Sequence, residues 1–185
     1  GDNVLLTAPS KMGKSWFLST MAVCLASGKR FLDMEVRKSS VMILDLELHR
    51  DDAMDRLWSI TNGLGLEQIP KDLYLWPLRA FTYDLDTLIA VLQYRLQNMP
   101  GIDCFIVDPI YMLESIDENN VGEVRTLLKA LTLITRQTGA TLILSHHYRK
   151  GNMGKEDHID RGSGSGAFAR FPDSLLSLSH HEEYL

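Results

Sequence analysis

Hydrophobic residues follow two alternating rhythms along this chain. Short, unbroken apolar runs occur at Val4 to Thr7, Ser40 to Leu46, Leu73 to Trp76, Asp103 to Val107, Thr141 to Leu144 and Ser174 to Leu178. Their length and β-branched content predict strands, and the lack of polar alternation predicts burial on both faces. Between them the apolar positions recur every three to four residues. Trp16, Phe17, Met21, Val23, Cys24 and Leu25 mark a well-buried helix from Ser15 to Ser27, closed by Gly28. Met54, Leu57 and Trp58 mark one side of a helix from Asp51 to Ile60, stopped by Gly63 and Gly65. Leu85, Leu88, Ile89, Leu92 and Leu96 place an amphipathic helix at Asp84 to Asn98, broken by Pro100 and Gly101. Val121, Val124, Leu127, Leu128, Leu131 and Ile134 mark another.

Strands that alternate with helices, each strand apolar throughout, predict the α/β class. The expected architecture is a mostly parallel central sheet with helices on both faces. Ligands in such sheets sit beyond the carboxyl ends of the strands, and the chemically suggestive residues fall at those ends. No internal repeat or low-complexity tract interrupts the pattern. The 185 residues are enough for a single α/β domain, 1–185, with a sizeable core. Because the first strand starts almost at residue 1, the domain is expected to be the core of a longer chain.

Composition narrows the classes. A hydrophobic fraction of 45% and a charged fraction of 23% are ordinary for a globular domain. No apolar run spans a bilayer, and the start lacks a signal-peptide pattern, so no membrane association is expected. Cys24 and Cys104 lie inside apolar runs and read as reduced core thiols, which places the chain in a reducing, cytoplasmic setting. A net charge of −5 argues against a surface coated with phosphate-binding lysines, yet leaves room for a local basic loop.

The first apolar run leads into Ala8-Pro9-Ser10-Lys11-Met12-Gly13-Lys14-Ser15. This is the Walker A pattern with Ala8 in place of its first Gly, set between a strand and a helix as the pattern requires. Consecutive N–H groups there curl into an anion nest, and the helix N-terminus adds a positive end. Gly13 allows close approach of the phosphates, Lys14 supplies an ammonium to the β- and γ-phosphates, and the Ser15 hydroxyl ligates Mg²⁺. Lys11 reads as a solvated loop lysine. The implied ligand is ATP with Mg²⁺. Asp108, which follows the strand CFIV, reads as a Walker B metal ligand, against the alternative of a turn residue before Pro109. Glu47 ends the strand SVMILDL and is the candidate base for the attacking water. The alternative for Glu47 is a helix-start carboxylate. Asp45 has the same side-chain parity as Glu47, so it shares the site or faces a helix.

Ser145, His146 and His147 follow the strand TLIL, where a polar side chain can report the γ-phosphate. The alternative is a structural histidine; a metal pair is disfavoured because adjacent strand residues point apart. The polar stretch Tyr148 to Gly166 carries Arg149, Lys150, Lys155 and Arg161, with Arg170 beyond. It fits three readings: a groove for single-stranded nucleic acid, a cation reaching a neighbouring subunit's ATP, or a flexible solvated loop.

The residues APSKMGKSW, the strand ending in Glu47 with RDDAMDRL after it, IVDPI, LSHHYRKG and RGSGSGAFARFPDSLL occur in this order over nearly the whole chain. In that combination the chain resembles the RecA-like P-loop ATPases, in particular RepA-type hexameric replicative helicases and their AAA-labelled relatives. The resemblance implies a RecA-like core assembled as a ring, a hexamer, with ATP sites between subunits. It implies nucleotide contacts from Ala8 to Trp16, phosphate and Mg²⁺ on Lys14 and Ser15, water activation by Glu47, Mg²⁺ on Asp108 and a γ-phosphate sensor at His146. Lys150 or Arg161 would lie near the interface. Two features depart from the family. The last strand, SLLSLS, has no finger arginine, which leaves Lys150, Arg161 or Arg170 as substitutes, and ESIDENN after Asp108 is acidic for a DNA-binding loop. The expected function is therefore an ATP-hydrolysing motor on single-stranded DNA. The alternatives are a nucleotide-switched regulatory or scaffold ATPase and, ranked below both, a small-molecule kinase.

Overall fold

The computed structural model describes residues 1–79, 85–99, 101–110, 121–147, 168 and 171–179. The apolar runs become strands β1 (Asn3–Ala8), β2 (Val41–Asp45), β3 (Leu73–Pro77), β4 (Cys104–Asp108), β5 (Thr141–His147) and β6 (Ser174–Ser177). The periodic stretches become helices α1 (Lys14–Ser27), α2 (Arg50–Gly63), α3 (Leu85–Asn98) and α4 (Val121–Thr138). All six strands are parallel, in the order β3-β2-β4-β5-β1-β6. This is the α/β, RecA-like P-loop arrangement expected, with β5 inserted between the strand that leads into the phosphate loop and the strand that ends in Asp108.

The unbroken apolar runs have a physical reason: alternate residues of the inner strands feed two separate cores. Leu5, Met42, Leu44, Phe105, Val107, Leu142 and Leu144 meet Leu92 of α3 and Val124, Leu127, Leu128 and Leu131 of α4. Leu6, Val41, Ile43, Cys104, Ile106 and Ile143 meet Leu18, Ala22, Val23 and Ala26 of α1 and Leu57 and Ile60 of α2. Burying each leucine-sized side chain contributes roughly 1.5–3 kcal/mol. Cys24 and Cys104 are both buried and free, as expected, and burial pushes the Cys104 thiol up to about 12.

Three expectations change. β6 is exposed at all four positions, and among the described strands it is bonded only to β1, at the edge of the sheet. Met54 and Trp58 do not share the buried side of α2 with Leu57; the helix buries Ala53, Leu57, Ile60 and Thr61, and Trp58 is 46% exposed. Trp16 likewise stands half out of the otherwise buried α1. One element was not foreseen. Phe31 and Met34 exchange backbone hydrogen bonds around a two-residue turn in which Leu32 (φ 48°) and Asp33 (φ 62°) are both left-handed. Arg30 Nη2 donates to the Asp33 carbonyl, and Phe31 sets its ring edge-on against Phe17, which ties the turn to α1. No helix among the described residues is long and apolar enough to cross a membrane.

Candidate nucleotide site at the carboxyl edge

The site begins where β1 ends. Ala8 is fully buried, so the methyl group in place of the pattern's glycine is accommodated against the core. The chain then turns through Lys11 (φ 65°) and Gly13 (φ 81°) into α1. Gly13 is the N-cap, and its left-handed conformation is the one that glycine adopts without steric cost. Among the described residues no side chain caps this helix, and no acid lies in its first turn. The first N–H groups of α1 therefore keep their capacity for an external anion, with the positive end of the helix behind them.

Lys14 is only 4% exposed, and its Nζ donates to the Ala8 carbonyl at 3.4 Å, back across the loop. Burial lowers its pKa, while the charges of Asp108 and then Glu47 act to raise it. Both acids thus stand near the ammonium. Asp108 is buried, and its Oδ1 finds no hydrogen-bond partner among the described residues. A desolvated carboxylate oxygen of this kind is suited to a cation or a metal-bound water. Ser15 is half-buried beside Lys14. The α1 terminus would take phosphates, and the Ser15 hydroxyl and Asp108 carboxylate are the oxygen donors that would hold Mg²⁺.

Register places Asp45 directly opposite Asp108 on the neighbouring strand, on the α1/α2 side of the sheet. Burial raises the Asp45 pKa, and Asp108 adds to the rise; the N–H groups of Leu48 and Glu47 and the charge of Arg56 oppose it. Glu47 lies two residues beyond, exposed, in the bend between β2 and α2.

The histidine strand end divides between the two faces. Ser145 pairs with Leu6, is fully buried, faces the α1 side and has an Oγ without a hydrogen-bond partner among the described residues. His146 pairs with Thr7 on the other side, and its ring lies against Phe168 with centroids 4.6 Å apart. The sheet thus brings Ser145, rather than the His146 ring, to the phosphate-loop face. Side-chain parity with Ile143 was the sequence signal for this. Sequence reasoning also missed Arg56, whose guanidinium lies 5.5 Å from the centre of the Trp16 ring and bridges α2 to the first turn of α1. Lys150, Arg161 and Arg170 lie outside the described residues.

Asp108 and Glu47 are the acids whose charges reach Lys14; Pro9, Ser10, Lys11 and Met12 form the connecting loop, in which Ser10 and Lys11 are exposed. The family model described as an AAA domain matches residues 1–153. No curated protein matches the chain.

Proposed function

The chain belongs to this AAA domain family, an ATPase type, and from that premise we propose that it hydrolyses ATP as one subunit of a nucleic-acid motor. The observation that carries the hydrolytic reading is that Lys14, the first residue of α1, feels the charges of both Asp108 and Glu47. The α1 N–H groups and Lys14 hold the β- and γ-phosphates. Ser15 and Asp108 hold Mg²⁺, which supplies charge neutralisation at the phosphate oxygens. Glu47 orients a water in line with the γ-phosphorus and takes its proton as the P–O bond to ADP breaks, giving ADP and phosphate. Ser145, buried on the phosphate-loop face of β5, and His146, packed against Phe168, are the strand-end groups through which loss of the γ-phosphate would be relayed. Arg56 and Trp16 form a flat cationic and aromatic surface beside the phosphate loop, suited to the adenine base.

Glu47→Gln is expected to cut ATP turnover by about 10²-fold or more while the protein still binds ATP–Mg²⁺. Undiminished phosphate release by that variant would remove Glu47 as the base.

The motor reading adds self-association into a ring, a hexamer, and action on single-stranded DNA in replication, with Lys150, Arg161 or Arg170 as the cation offered to a neighbouring ATP. Its support is the order of motifs along the chain. A net charge of −5 favours the second reading, a nucleotide-switched scaffold. Salt titration of single-stranded DNA binding, with and without an ATP analogue, separates the two. A motor binds in an ATP-dependent, salt-sensitive manner, and a scaffold does not bind.

A further inference from the structure

Asp45 is the buried acid at the carboxyl edge that hydrolysis as written leaves without a task. It is 5% exposed, sits opposite Asp108 and has no cation within ion-pair distance among the described residues. A carboxylate kept there pays desolvation and repulsion from Asp108, so packing alone does not account for it.

Its Oδ1 accepts two hydrogen bonds, from the N–H of Glu47 at 3.0 Å and from the N–H of Leu48 at 2.8 Å. Both donors lie in the bend that follows β2, and Asp45 closes that bend on itself. The bend is held on its other sides by backbone alone: Leu46 N–H donates to the Asp108 carbonyl at 2.9 Å and Leu78 N–H donates to the Asp45 carbonyl at 2.7 Å. Glu47 is exposed, so this backbone clamp is what fixes its starting direction.

We propose that Asp45 is a positioning residue, whose side-chain clamp on the Glu47 and Leu48 amides aims the Glu47 carboxylate at the attacking water. The inference rests on Glu47 being the base. Both oxygens of a carboxylate are acceptors, but the clamp uses only Oδ1, so an asparagine retains the acceptor and sheds the charge. An alanine loses the clamp.

The test uses the full chain with ATP–Mg²⁺. Asp45→Ala is expected to lower kcat by roughly 10²-fold, the penalty of a misplacement of about 1 Å, with the Kd for ATP–Mg²⁺ changed by less than about threefold. Amide exchange at Glu47 and Leu48 should quicken in this variant. Asp45→Asn should restore both the slow exchange and most of kcat. If Asp45→Ala keeps its kcat, loses ATP binding as severely as turnover, or is not rescued by Asp45→Asn, the positioning role is overturned. Glu47→Gln run in parallel separates the two claims: a turnover-competent Glu47→Gln ends the base assignment itself, whereas an inactive Glu47→Gln beside an active Asp45→Ala ends only the clamp.

Discussion

Removing bulk water from the Lys14 ammonium lowers its pKa, and Asp108 and Glu47 only partly offset this. In the nucleotide-free protein the group therefore gives up its proton at a lower pH than it does unfolded. Stability from this residue rises with pH between that lowered value and the unfolded one, because the unfolded chain binds more protons there. Bound triphosphate supplies the missing negative charge, so the site gains most from Lys14 when ligand is present. Lys14→Ala should weaken ATP binding by about 10- to 100-fold, from a charge-assisted contact of about 1.5–3 kcal/mol, measured by calorimetry. Asp45 has the opposite sign. Its folded pKa is raised, so it holds its proton longer when folded, and the fold loses stability as pH rises from the unfolded value of about 4 through the raised one. Metal-free Asp45→Asn should consequently melt above the parent at pH 7, and the two melting curves should converge below about pH 4. The phosphate loop and Asp108 were legible as positions at strand ends, which the structure places at the ends of β1 and β4, whereas Glu47 falls two residues past the end of β2, in the bend. Asp45 was not legible: its carboxylate turns back onto its own backbone, and parity alone cannot distinguish that from facing a ligand.

Among the elements, the inner strands were legible because their apolar runs feed two cores, and the helices because apolar residues recur at helical spacing. The turn at Phe31 to Met34 was hidden for a concrete reason. Two-residue turns of this type favour Asn-Gly or Asp-Gly, and here Leu32 and Asp33 take both left-handed positions. A non-glycine residue there costs roughly 1–2 kcal/mol. Combining Leu32→Asn with Asp33→Gly should therefore stabilise the chain by about 1 kcal/mol, or about 2–4 °C in the melting midpoint. An unchanged midpoint would mean that the turn relaxes in solution. Edge burial was equally illegible: SLLS reads as core, but which strand lies outermost depends on pairing across the whole sheet, and β6 lies outside β1 with every residue exposed.

For the whole molecule, the order of strands in space differs from their order along the chain. β1 bonds only to β5 and β6, so none of the strands from β2 to β4 touches it. The strand that leads into the phosphate loop is thus completed by segments more than 130 positions away, Asn3 being registered with Leu142. On the ribosome, at about 5–20 residues per second, the apolar stretch Val4 to Ala8 waits roughly 7–30 s for its neighbour β5. Throughout that interval it is a bare adhesive strip, an apt substrate for a holding chaperone. A polypeptide ending at residue 140 should consequently stay unable to melt cooperatively or retain nucleotide, whereas one reaching beyond β5 acquires the last strand that joins the phosphate loop to the rest of the sheet.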